Sequence, residues 1–338
     1  MSDTAKRFLS LAVSLGLGGG LLWLALRDAD LGAVAQALAQ GEWVWFIPFL
    51  LVSLLSVVVR AWRWGLLIDA LPDRERPVSL QITTASVAIG YLVNYAAPRL
   101  GELARAANVS RRATAPFSAV VGTVVAERVL DVLALALVLL SVALIFGDRV
   151  GGLLASAGEG LVASASALPV WAVVLGGLTL VALGLGAVWL IRRGSGRLAG
   201  LLAQFRDGFA SVLRTRKPGS VLLSTVLLWV CYGAMSDLPM RLLGLDEVYG
   251  LGPVDAWAVM AIGGIGMALP SPGGTGSFHY ATVQALTLLF AVAVTPAATY
   301  ALLVHASGVV FYCVLGVIAL AVQGTSLGAL TGAAREAA

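Results

Sequence analysis

Stretches of about 20 apolar residues recur along this chain from Phe8 to Phe311, each long enough to cross a hydrocarbon core roughly 30 Å thick as a helix. That repetition restricts the fold more than any single motif does. Only 12% of the 338 residues are charged and 59% are hydrophobic, about half the charge of a typical soluble domain. A soluble enzyme is excluded. The expectation is an all-α polytopic membrane protein that forms one integral domain over residues 1–338.

Six full spans are expected, at Phe8–Leu26, Trp43–Ile68, Pro116–Phe146, Leu168–Ile191, Val221–Leu238 and Ala297–Ala321. The first follows Lys6-Arg7 as a signal peptide would, but no small-residue cleavage site follows it, so it reads as a retained helix. Two further apolar stretches are interrupted. Val78–Ala97 runs into Asn94-Tyr95-Ala96-Ala97-Pro98-Arg99-Leu100-Gly101-Glu102, and Val254–Leu269 runs into Pro270-Ser271-Pro272-Gly273-Gly274-Thr275-Gly276 before apolar sequence resumes through Phe290. Proline and glycine at that density cannot continue a helix. In lipid, open backbone persists only where protein buries it or water wets it, so both places are expected to be re-entrant or broken helical segments lining a polar cavity.

The 22 basic and 18 acidic residues leave a formal charge of +4. On a membrane protein such an excess reports orientation rather than nucleic-acid binding. With the N-terminus in the cytoplasm, 18 of the 22 basic residues fall on cytoplasmic segments, which also puts the C-terminus inside. The first broken segment then enters and leaves on the cytoplasmic side, the second on the outer side. Residues 43–146 and 221–321 become two units of opposite orientation, the inverted-topology arrangement of alternating-access carriers. Between them, 192–217 reads as a basic amphipathic helix on the cytoplasmic leaflet. Leu31–Leu38, with Asp30 as its cap, reads as a short interfacial helix on the outer side. Cys231 and Cys313 lie in apolar runs and act as small hydrophobes. His279 and His305 are too few for a ligand cluster, so no disulfide, metal or cofactor is expected.

Charges inside the apolar runs are the most informative residues, because an ionisable group in lipid normally faces a cavity or a partner. Glu127 and Asp131 share one helix face, Arg128 can pair with Asp131, and Thr123 extends the polar stripe by a turn. Counted from Pro116, Glu127 lies about 16 Å into the helix, near the bilayer centre. A second group, Asn94, Arg99, Glu102 and Arg105, places a carboxylate between two guanidiniums at three-residue steps. Guanidiniums bind phosphate through paired hydrogen bonds, so this row suits either a phosphorylated head group or a structural ion network capping the broken helix. Arg60, Trp62, Arg63 and Trp64, at the end of a span, read as interfacial anchors.

At these residues the chain resembles the transmembrane, flippase-type domain of lysylphosphatidylglycerol synthases and its free-standing relatives. The resemblance rests on Arg60-Ala61-Trp62-Arg63-Trp64, on Asn94 with Pro98-Arg99-Leu100-Gly101-Glu102 and Arg105, on Glu127-Arg128-Val129-Leu130-Asp131, and on Pro270–Gly276. It implies a multi-pass protein of the bacterial cytoplasmic membrane that moves phospholipids or polyprenyl-phosphate-linked lipids between leaflets, without the soluble synthase domain and without enzymatic activity of its own. Arg99, Arg105 and Arg128 would contact an anionic head group, and Glu102, Glu127 and Asp131 would orient them. Pro272, Gly273, Gly274 and Gly276 would add backbone groups from the opposite side. Where such proteins often carry a glutamate three residues after the last glycine, this chain has His279, which could couple head-group binding to protonation. A homodimer or a lipid-modifying enzyme is the expected protein partner. Two other functions fit less of the chain: a polyprenyl-phosphate-dependent glycosyltransferase holding a metal at Asp28 and Asp30, and a non-catalytic scaffold for a lipid-modifying enzyme.

Overall fold

The structure is a computed structural model, and it describes residues 3–72, 77–96, 100–147, 149, 206–269 and 271–326. The described chain is helical throughout. Helix α1 is Asp3–Leu26, α2 is Leu31–Gln40, and a turn of 3-10 helix at Trp43–Trp45 leads into α3, Phe46–Ile68. Then come α4, Leu80–Ala96, α5, Gly101–Ala113, and α6, Phe117–Ile145. A single turn, α7, Ser211–Arg214, precedes α8, Pro218–Leu242, and α9, Leu245–Tyr249. The chain continues as α10, Pro253–Ala268, a 3-10 turn at Pro272–Gly274, α11, Ser277–Phe290, and α12, Val294–Gln323.

Among the described residues, four helical segments are long and apolar enough to cross a membrane: Trp43–Ile68, Phe117–Ile145, Pro218–Leu242 and Val294–Gln323. These match four of the six expected spans. A fifth, Phe8–Leu26, falls in the helix α1. The sixth, Leu168–Ile191, and most of the amphipathic segment 192–217 lie outside the described residues. The local signals acted as expected at several ends. Asp30 caps α2, its Oδ1 accepting the N–H groups of Gly32 and Ala33, and Pro116 stands immediately before α6. Polarity is arranged inside out relative to a soluble protein. Val132, Leu137 and Leu144 of α6 and Leu222 and Val226 of α8 point outward, whereas Ser53, Ser56, Arg60, Arg63, Thr123 and Glu127 are buried. This is the distribution a hydrocarbon solvent demands, and the protein is a multi-pass membrane protein.

The two interrupted stretches form helical hairpins, α4–α5 and α10–α11, each folded at its break. Small residues let the arms of each hairpin touch. A Cβ on Gly101 would stand 2.0 Å from the carbonyl oxygen of Gly90, and a Cβ on Gly266 would stand 2.6 Å from that of Ser277. In both hairpins the first residue of the second arm thus lies against a glycine eleven positions earlier. Packing between elements follows one rule: α3 pairs with α8, the first arms α4 and α10 pack on α3 and α8, and the second arms α5 and α11 pack on α6 and α12. In addition α12 lies on α4, and α6 lies on α10. Exchanging α3, α4, α5, α6 with α8, α10, α11, α12 leaves this pattern unchanged. Two separate apolar cores accompany it, one around Val57, Trp64, Val87, Ala106 and Val120, the other around Val259, Val283, Leu286, Ala298 and Tyr300.

Candidate functional site: a buried ion cluster beside the first hairpin

The first core surrounds charge. From α3, the Arg60 guanidinium donates to Glu127 Oε1 at 2.8 Å, to Asp131 Oδ2 at 3.0 Å and to the Tyr232 hydroxyl of α8 at 2.8 Å. One turn on, Arg63 donates to Glu127 Oε1 at 3.2 Å and to Asp131 Oδ1 at 2.5 Å. From α5, Arg105 Nη1 pairs with Glu127 Oε2 at 2.8 Å, and its guanidinium stacks 4.6 Å from the centre of the Trp64 ring. The Trp64 indole N–H donates to Thr123 Oγ1 at 2.9 Å, so the ring on which Arg105 rests is itself fixed. At the rim, Arg128 donates to Glu102 at 2.7 Å and lies 3.6 Å from Asp131. Arg63 and Glu127 are fully enclosed, and Arg60 and Arg105 keep no more than 6% of their side-chain surface.

Four guanidiniums thus face three carboxylates, and the cluster carries one net positive charge. Removing so many charges from water costs several kcal/mol per ion, so each must be held by a partner. Three polar atoms on residues that line one cleft are nonetheless left over: Arg60 Nε, Arg105 Nη2 and Glu102 Oε2 are buried and have no hydrogen-bond partner among the described residues. The cleft is lined by Arg60, Tyr91, Asn94, Gly101, Glu102, Arg105 and Arg128. In this conformation it encloses only about 10 Å³, space for a single water-sized molecule.

The arrangement corrects one expectation. Arg60, Arg63 and Trp64 are not interfacial anchors; they turn inward because Glu127 and Asp131 need counter-charges and α3 is the neighbouring helix that can supply them. A signal for this lies in the sequence, since Ser53, Ser56, Arg60 and Arg63 recur at steps of three and four and form one polar face of α3. The expected row on α5 is also rewired. Glu102 pairs with Arg128, and Arg105 turns to Glu127 instead, while Arg99 and Pro98 lie outside the described residues. Asn94 bridges the break: its Oδ1 accepts the Gly101 N–H at 2.8 Å and so caps α5. Thr123, Glu127 and Asp131 follow one another at four-residue steps along α6, and Arg128 pairs with Asp131 from the rim, as expected.

The second hairpin meets the first at its tip. Gly273 lies against the Tyr95 ring, where a Cβ would come within 2.9 Å, and Gly276 lies against α1, where a Cβ would be 1.9 Å from the Gly18 carbonyl oxygen. Gly273, Gly274 and Gly276 have φ of 58°, 76° and 85°, a left-handed backbone that glycine alone adopts without strain. Pro272 opens the turn. His279 receives the Gly276 N–H on Nδ1 at 3.3 Å, the task a glutamate performs at the third position of a capped helix. Its ring also lies 4.7 Å from that of His305, whose Nε2 is 3.3 Å from Thr275 Oγ1. The acidic pair between α1 and α2 is occupied locally: Asp30 caps α2 and Asp28 accepts from Arg27.

No curated protein and no solved structure gives a significant match to this chain. The family model for the lysylphosphatidylglycerol synthase TM region matches residues 8–316. That stretch contains both hairpins and every member of the ion cluster, and the chain belongs to the lysylphosphatidylglycerol synthase transmembrane-region family.

Proposed function

We propose that this protein moves a phospholipid or lipid-linked anionic head group between the leaflets of a bacterial cytoplasmic membrane, with both termini in the cytoplasm. The observation that carries the reading is the buried ion cluster with net positive charge, placed under the tip of one broken hairpin where a second hairpin meets it. A purely structural network would be expected to balance its charges and leave no buried donor free. This one keeps a guanidinium nitrogen for an anion.

The packing pattern that survives exchange of residues 43–146 with 221–321 supports inverted repeats, and the hairpins are then re-entrant segments dipping from opposite faces. The head group travels between them while its chains stay in lipid. Arg105 and Arg128 hold the phosphate, Arg99 adds a third guanidinium at the mouth, and Glu102, Glu127 and Asp131 keep the arginines oriented and their grip reversible. His279 sits on the far side of the route as a titratable cap of α11. The chain acts on its lipid without chemical change, alone or as a homodimer, or beside a lipid-modifying enzyme.

Reconstitution into liposomes with fluorescent anionic lipids tests this. Wild-type protein is expected to expose inner-leaflet lipid to a membrane-impermeant quencher, and the Arg105→Gln, Glu127→Gln double variant to lose most of that rate. Equal rates for wild type, double variant and protein-free vesicles would refute transport.

A further inference from the structure

The second half of the molecule carries a polar contact where the first half carries the rim of its ion cluster. Helices α6 and α12 occupy exchangeable places, and counting each from its first residue aligns them. Thr123 of α6 is bonded to Trp64 of α3, and Tyr300, at the same count along α12, is bonded to Ser236 of α8. By that count Arg128 corresponds to His305. Arg128 reaches Glu102 in the first turn of α5, and His305 lies 4.7 Å, ring to ring, from His279 in the first turn of α11. In each half one contact thus ties the start of the hairpin's second arm to the span that follows it. We infer that the His279–His305 contact is a proton-operated gate: it closes α11 on α12 while both rings are neutral and releases them when the rings are protonated. This rests on the transport reading, which supplies what passes, and deepens it by naming what opens the second hairpin.

The bonds of the two rings set what a proton does. His279 Nδ1 accepts the Gly276 N–H at 3.3 Å, so in this conformation that nitrogen carries no hydrogen of its own. A proton there sets two donors against each other and undoes the cap of α11. His305 Nε2 meets Thr275 Oγ1 at 3.3 Å, a contact that survives protonation because the hydroxyl oxygen can accept. Its charge then faces the other ring. His279 is buried, and two imidazolium ions at this separation repel strongly where water is scarce.

Among the described residues, no carboxylate holds these protons in place. The one acid of α10, Asp255, stands at the opposite end of that helix and accepts the Gly252 N–H. Helix α1 meets the break at Gly18, and its Asp3, Lys6 and Arg7 are eleven or more residues away along it. Besides His305, α12 brings Tyr300, whose hydroxyl is bonded to Ser236, and α4 brings the Tyr95 ring against Gly273. On α11 itself the neighbouring Tyr280 faces outward. Two buried positive charges without a counter-charge are relieved when the helices part and water enters. Glu102 and Arg128, by contrast, are opposite charges and attract one another on either side of neutral pH. Acid therefore opens the second hairpin and leaves the first closed, and in the proposed orientation the gate reads the acidity of the outer side.

The test places spin labels on full-length protein in liposomes, at Tyr280→Cys on α11 and Val310→Cys on α12, both outward-facing positions, with Cys231 and Cys313 changed to alanine. Pulsed electron–electron resonance then reads the separation of the two helices. At about pH 8 one short distance is expected, and at about pH 5 a second, longer one should make up most of the signal. His279→Gln added to this protein keeps an acceptor for the Gly276 N–H and takes up no proton, so it should hold the short distance at both values. His305→Gln keeps a partner for Thr275 but removes the repulsion, so the long component should shrink at least about twofold. One distance throughout in the labelled parent, or a long component undiminished in either variant, would overturn the inference. Should His279→Gln fail to give the short distance at about pH 8, the parent and His305→Gln still decide. The labels report separation without lipid movement: helices that part in a protein that moves no lipid would refute the transport reading alone, and lipid movement past a pair that never parts would refute the gate alone.

Discussion

At the scale of single residues, Glu127 holds the site together, since Arg60, Arg63 and Arg105 all converge on its carboxylate. Glu127→Ala would leave Arg105 without its carboxylate and Arg60 and Arg63 with Asp131 alone, and is expected to cost about 3–5 kcal/mol. Thermal unfolding of the detergent-solubilised protein should show a clear fall in midpoint, and an unchanged midpoint would mean the cluster is not a connected network. Thr123→Val should cost less, about 1–3 kcal/mol, because it leaves only the Trp64 indole without its acceptor. Five of the cluster's seven charged members, Glu102, Arg105, Glu127, Arg128 and Asp131, are legible in the sequence as site residues. Glu127, Arg128 and Asp131 declare themselves because charge within an apolar run has no cheap alternative to burial. Arg60 and Arg63 do not, because an arginine near the end of a span can snorkel to water or turn inward, and only the partner on another helix decides between them.

At the scale of elements, the hairpins depend on close backbone approach. A Cβ at Gly101 would meet Gly90 and Asn94, at 2.0 and 2.6 Å, so Gly101→Ala must push the arms apart and disturb the cap that Asn94 places on α5. We expect it to destabilise by about 1–3 kcal/mol. Gly219→Ala, with nothing within 4 Å of the added atom, should be neutral or gain up to about 1 kcal/mol of helix propensity. The same unfolding measurement compares them, and equal midpoints for the two variants would contradict the packed crossing. The breaks themselves are plain in the sequence from proline and glycine density. Which glycines touch is not: with 39 in the chain, a glycine in an apolar run marks a crossing, a bend or nothing, and the choice is made by the opposing arm.

At the scale of the whole molecule, four of the expected spans, both broken stretches and the helix α1 stand where apolar run length and breaking residues put them. The exchange symmetry of the packing is invisible in residue identity, since packing constrains volume and polarity rather than sequence. Withdrawing Arg60, Arg63 and Arg105 to the interior still leaves 15 of the 22 basic residues on segments that the proposed orientation places in the cytoplasm, so that proposal does not depend on the three. Passage of head groups between the hairpins requires the nearly closed cleft to open. A Cβ on Gly18 of α1 would lie 3.6 Å from that of Ser271 at the second hairpin's break, within disulfide range. A Gly18→Cys, Ser271→Cys protein, with the free Cys231 and Cys313 changed to alanine, can therefore be locked and released in the same vesicles. Oxidation is expected to stop lipid movement and reduction to restore it; movement at one rate in both states would contradict passage between the hairpins.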